Sequence, residues 1–225
     1  MRHSTLGVIV LFAVTAGFSE RPRAATVFDN KAAFLAATGS TSATGPIPSL
    51  GSVGEGPVAI GSLGFDAASG VVSSGLIFSD FSDLLPDNEL AISGAENFNV
   101  VSTVPLFSLG FDFAEAGEDN PKLNGPFINS TFKVTLLAQT IVVDSFFFSR
   151  PNDAETFVGV WSAASFNKAE IREAVGGIGN EFFGEFYSGT LARSAVPAPV
   201  SLPLFLSALA GLGFVARTAR ATVPV

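Results

Sequence analysis

"LFSLGFDF", residues 106–113, alternates apolar side chains with small or polar ones from Phe107 onward. Phe107, Leu109, Phe111 and Phe113 fall on one side of an extended chain, with Ser108, Gly110 and Asp112 on the other. Successive side chains of a strand point to opposite faces, so this period of two predicts a strand with one face in a core. The same pattern recurs on either side of it. "VAIGSLGF" (58–65), "LIFSDF" (76–81), "ENFNVVSTV" (96–104), "STFKVTLL" (130–137), "QTIVVDSFFF" (139–148, as a buried strand) and "TFVGVWSA" (156–163) all read as strands. In the last, Phe157, Gly159 and Trp161 share a side opposite Val158 and Val160. Short strands separated by turn residues predict an all-β domain, an antiparallel β-sandwich of jelly-roll-like type. One short N-terminal helix is expected in "DNKAAFLAATG", with Asp29 or Asn30 as its cap and Gly39 as its stop. The Gly-, Ser- and Pro-rich run that follows, 39–57, reads as a loop or an extended edge. The chain has 23 phenylalanines. Each ring contributes about 1.5–3 kcal/mol when buried, and two facing sheets provide the room.

Composition narrows the chemistry. The sequence holds no cysteine, and its one histidine is His3. Catalysis by Ser-His-Asp or Cys-His, His or Cys metal ligation and disulfides are therefore excluded from the body. Between residues 26 and 194 there are seven Lys and Arg against nineteen Asp and Glu, a net charge of −12. Such a surface repels phosphate backbones, so no nucleic-acid partner is expected.

The two ends carry an address. Residues 1–25 begin with Arg2, continue through an apolar run from Leu6 to Phe18 and offer small residues at Val14-Thr15-Ala16 and Ala24-Ala25. That arrangement predicts a signal helix that is removed on export. Residues 195–225 begin with "VPAPVSLP" (196–203), pass through a hydrophobic helix over 202–216 and end on Arg217 and Arg220. Fifteen helical residues span roughly 22 Å, short of a bilayer core of about 30 Å. The arginines favour a cytoplasmic end, with the body outside.

Val196, Pro197, Ala198, Pro199 and Val200, followed by the apolar helix and Arg217 and Arg220, resemble a PEP-CTERM sorting domain, in the form whose motif reads Val-Pro-Leu-Pro-Ala. The resemblance covers about 25 residues. Two departures are visible: no Glu stands between the prolines, and the basic cluster is two arginines. The resemblance implies an exosortase-type membrane enzyme as partner, which cleaves near the motif, and an exported protein of the bacterial envelope or matrix associated with exopolysaccharide. "SGAENFNV" (93–100) and "NEFFGEFYSG" (180–189) are similar to strands of secreted modules in that family. The second likeness favours a strand over a helix for 166–174, with a turn at Gly176-Gly177. The body, 26–194, is thus expected to be one sandwich domain. Contact with a membrane is expected through the C-terminal helix, whether transient or permanent.

Candidate sites are few. "DFAEAGEDN" gathers Asp112, Glu115, Glu118, Asp119 and Asn120, the oxygen donors Ca²⁺ prefers, but without the register of an EF-hand. Calcium is the one cofactor the composition leaves open, and a solvated acidic turn is the alternative. Asp80, Asp83, Asp87 and Glu89 form a second acidic stretch. Trp161 and Tyr187 are candidates for stacking on a sugar ring, against the simpler role of packing in the core. Glu181 and Glu185 are the one pair that suggests a glycosidase, but on a regular strand they stand about 13 Å apart on one face. No catalytic residue is assigned. The function expected is a non-catalytic binding or structural module, with a glycan-active enzyme or a permanently anchored surface protein as alternatives.

Overall fold

The computed structural model describes residues 25–68, 73–117, 129–176 and 179–192. The expected leader and sorting tail lie outside these residues. Among them, no helix is long and apolar enough to cross a membrane.

Two long strands organise the fold. β8 runs over Phe98–Glu115 and β11 over Thr156–Val175, paired antiparallel along most of their length. Each turns over midway. Register slips between Trp161 and Phe166, where Thr103, Val104 and Pro105 of β8 lie exposed. Bulges of this kind bend a strand and let it pass from one layer to the other. Pro105 fits at the bend because it has no N–H to offer the ladder.

The first half of β8 pairs with β5 (Leu63–Ala67), and the second half of β11 with β9 (Thr131–Ala138). β4 (Val58–Ile60) and β10 (Ile141–Phe148) extend this layer at its two edges. The second half of β8 pairs instead with β12 (Glu181–Gly189), and the first half of β11 with β1 (Thr26–Phe28). β12 continues through β7 (Glu89–Gly94) and β6 (Ser73–Ser79) to β3 (Gly51–Gly54), and also pairs with β2 (Thr41–Ser42). The result is an all-β antiparallel sandwich whose layers share β8 and β11.

Aromatic rings join the layers. Phe65 of β5 meets Phe186 of β12 at 4.9 Å, and Phe98 at the start of β8 meets Phe183 of β12 at 4.7 Å. Phe132 of β9 stacks on Phe148 at 5.0 Å, and both reach Phe113. Because Phe183 is paired in register with Phe113, the two ends of β8 come back to one end of the sandwich.

The helix α1, Lys31–Thr38, has the expected caps: Asn30 accepts from the Ala33 N–H at 2.9 Å, and Gly39 stops it in the left-handed region at φ 66°. It lies on the outer face of the second layer. There Phe34 sits over Gly110 and Gly159, which oppose each other across β8 and β11. This is why the Ser108, Gly110 and Asp112 side of the opening stretch is buried as well.

Several elements differ from the sequence reading. "VAIGSLGF" is a hairpin of β4 and β5, turned at Gly61 with φ 60°. Residues 96–113, read as two strands, form one strand after a short turn. The run 39–57, read as a loop or an extended edge, contributes β2 and the edge strand β3 to the sheet, and "QTIVVDSFFF", read as a buried strand, is instead the edge strand β10, with Ile141, Val142 and Phe147 exposed.

Candidate functional site

Where β8 begins and ends, four glutamates converge. Glu96 precedes β8, Glu115 ends it, Glu173 lies near the end of β11 and Glu181 opens β12. Each continues the core-facing register of its strand, two residues from Phe98, Phe113, Ile171 and Phe183 respectively. Glu96 and Glu173 come from the first layer, Glu115 and Glu181 from the second.

Glu96, Glu173 and Glu181 each offer a carboxylate oxygen, and these oxygens all lie within 4.8 Å of one another. Glu96 and Glu115 are fully enclosed, Glu181 is 1% exposed, and Glu173 is half-buried and leaves a route from solvent. Donors are scarce. Glu173 Oε2 accepts from the Glu96 N–H at 3.2 Å, Glu181 Oε2 from the Asn180 N–H at 2.9 Å, and Glu115 Oε1 from the Ser130 N–H at 2.6 Å. The Ser130 hydroxyl donates to Glu181 Oε1, so Glu115 and Glu181 meet at one serine. Both oxygens of Glu96, Oε2 of Glu115, Oε1 of Glu173 and Oδ1 of Asn180 are buried without a donor. A methyl carbon at Gly179 would stand 2.9 Å from Glu96 Oε1, and one at Gly176 would overlap Glu173 Oε1.

Buried polar atoms are nearly always partnered, and an ionised carboxylate needs a counter-charge or a proton. Among the described residues no Lys or Arg forms an ion pair with these four. Burial, and then the charges of Glu181 and Glu173, push the Glu96 carboxyl up to about 11. Burial pushes Glu115 up to about 7 against its Ser130 hydrogen bonds, and raises Glu181 as well. The chamber can be neutralised in two ways, by protons or by a cation. Its donors are all oxygen, which suits a hard cation and disfavours zinc.

The residues singled out in the sequence are distributed differently. Asp112 and Glu115 face opposite sides of β8. Glu115 enters the chamber, whereas Asp112 lies under α1 with both its oxygens on Lys31 Nζ, at 2.8 and 2.9 Å. Glu118, Asp119 and Asn120 lie outside the described residues. Glu89 is fully buried and closes its own loop, accepting from the N–H groups of Phe81 and Ser82 and from the Ser82 hydroxyl. Asp80, Asp83 and Asp87 do not join it in a grouped ligand set. Tyr187 is 5% exposed, packed with Phe34 and Phe157, and its hydroxyl reaches Asp112 at 3.0 Å and Glu185 at 2.8 Å. It offers no face to a sugar. Trp161 is partly exposed beside Ser108, with its Nε1 unpartnered.

A bulge between Phe183 and Phe186 shifts the parity of β12. Glu181 therefore points inward to Ser130, and Glu185 outward to Ser42 and Tyr187. The sequence reading placed both on one face, which a regular strand would require. Val196, Pro197, Ala198, Pro199, Val200, Arg217 and Arg220 lie outside the described residues.

At the opposite end, where the long strands turn over, an open cleft of about 370 Å³ is lined by Thr103, Val104, Gln139, Ile141, Ser165 and Asn167 among others. No family model, curated protein or solved structure matches the chain.

Proposed function

We propose that the chain is an exported module of the bacterial envelope or extracellular matrix, sorted by its C-terminal tail through an exosortase-type enzyme. It acts by binding or by structural association with exopolysaccharide. The observation that carries the non-catalytic part is the separation of Glu181 from Glu185 across β12. A glycosidase needs two carboxylates about 5–10 Å apart flanking one bond in one cleft. Here one is enclosed between the layers and the other is engaged by Ser42 and Tyr187 on the outer face. The cleft at the bend mixes amide and hydroxyl groups with Val104 and Ile141, a lining suited to a sugar's alternating polar and apolar surfaces.

The test has two arms. Mass analysis of both ends of native protein is expected to find the leader removed and the chain cut near Val196–Pro203. An intact Arg220 in the membrane fraction would replace sorting with permanent anchoring. Pull-down on the producing cell's exopolysaccharide is expected to retain the protein and to leave the polymer undegraded. Release of sugar that depends on Glu185 would restore the enzyme reading.

A further inference from the structure

We propose that the glutamate chamber is a calcium site, in which one Ca²⁺ held by Glu96, Glu173 and Glu181 clasps the two layers of the sandwich. This goes beyond the proposed export and matrix role and does not depend on it.

The geometry has the right scale. Oxygens within 4.8 Å of one another can share one ion at about 2.3–2.6 Å from each, the Ca²⁺–oxygen distance. Mg²⁺ demands near-octahedral oxygens at about 2.0–2.1 Å and retains several waters. An enclosed set of carboxylates leaves little room for those retained waters and suits it less well. A trio of acidic residues alone would not establish a site, since many are merely solvated. This one is not solvated. Glu96 is fully enclosed, and neither of its oxygens has a donor. Glu115 lies outside the trio yet is also fully enclosed; its Oε2 lacks a donor, and it meets Glu181 at Ser130. Asn180, also fully buried beside Glu181, keeps an amide Oδ1 without a donor. Carboxylate oxygens are the hard donors Ca²⁺ takes.

Gly176 and Gly179 fit the same purpose. A side chain at either position would occupy space next to Glu173 Oε1 or Glu96 Oε1. Position in the fold gives the consequence. Two ligands come from the first layer and one from the second, at the end where β8 and β11 return. The ion would join the layers where neither long strand links them directly. Half-buried Glu173 provides the route for loading.

The experiment uses the full-length chain, stripped with EGTA and titrated with CaCl2 by calorimetry and thermal unfolding, with MgCl2 as comparison. One equivalent is expected to bind, with a higher unfolding temperature in Ca²⁺ than in the same concentration of Mg²⁺. Glu96→Gln and Glu173→Gln are expected to abolish both effects. Glu96→Gln should leave the unfolding temperature of the stripped protein close to that of the stripped parent, since the amide matches the shape of a protonated carboxyl and changes no charge. A merely structural role for Glu96 would lower the stability of the stripped protein as well. Absence of stoichiometric Ca²⁺ binding would overturn the proposal and leave the chamber to protons. An equal response to Mg²⁺ would overturn the choice of ion. Binding that survives both substitutions but disappears in Asp119→Asn would move the site to the acidic loop and overturn it too.

Discussion

Phe183 is the ring on which the sandwich reading can be tested most sharply. It is fully enclosed and touches four other rings: Phe98 at 4.7 Å, Phe113 at 5.2 Å, Phe111 at 5.6 Å and Phe132 at 5.7 Å. Two of these partners, Phe98 and Phe132, belong to the opposite layer. Truncating a buried Phe to Ala costs about 3–5 kcal/mol through lost transfer energy and the cavity left behind. Tilted and edge-on ring pairs add about 0.5–1.5 kcal/mol each, without strict additivity. Phe183→Ala is therefore expected near the top of that range, about 4–5 kcal/mol. For a domain of this size a loss of 1 kcal/mol lowers Tm by roughly 2–4 °C, so the drop should be on the order of 8–20 °C. Phe147, on the edge strand β10 and 62% exposed, is the matched control. Phe147→Ala should change stability by less than about 0.5 kcal/mol. Urea unfolding followed by circular dichroism and by Trp161 fluorescence measures both, with the slope m unchanged between variants. A loss below about 1.5 kcal/mol for Phe183→Ala at constant m, or equal losses for the two variants, would mean that the layers do not close over this ring.

Other positions give independent checks. Gly159→Ala places a methyl carbon 2.7 Å from ring atoms of both Phe34 and Phe157; a loss of about 1–3 kcal/mol is expected in urea titration, while Gly64→Ala, whose nearest contact is at 3.8 Å, should be neutral. Lys31→Met leaves the buried carboxylate of Asp112 with the Tyr187 hydroxyl as its remaining partner. Since Lys31 is partly solvated, the cost should be about 1–3 kcal/mol, below that of breaking a fully buried pair, and adding Asp112→Asn should recover part of it. In EGTA, thermal unfolding should reveal a stability that falls with rising pH. Glu115 and Glu96 bind protons more tightly folded than unfolded, so their contribution is complete below about 4.5. That of Glu115 is lost as pH rises through about 7, and that of Glu96 only towards about 11. Glu115→Gln should flatten the slope between pH 5 and 8; an unchanged slope would assign it to the general acidity of the chain.

Much of the fold could be read from local pattern because local rules govern it. The alternation around Phe111 and the caps at Asn30 and Gly39 depend on neighbours a few residues away, and those elements form as expected. What pattern alone concealed was continuity. Pro105 looks like a break between strands, but it falls where β8 bends from one layer to the other and no ladder bond is required of it. The bulge in β12 was equally hidden, and with it the parting of Glu181 from Glu185, because nothing between them but Gly184 signals an extra residue. The chamber is assembled from positions 96, 115, 173 and 181, too far apart in sequence for any spacing rule. One signal was nevertheless present. Period two carries Leu109, Phe111 and Phe113 onward to Glu115, Ile171 to Glu173, and Phe98 and Phe183 back to Glu96 and Glu181. Four strand ends place a carboxylate where the pattern calls for an apolar side chain. A sequence selected only for burial would not do so four times at one end of the same core, since each enclosed charge costs several kcal/mol unless it is compensated. The acidic density of "DFAEAGEDN" contains one of the four, Glu115, whereas the other three are single glutamates set in register with Phe98, Ile171 and Phe183.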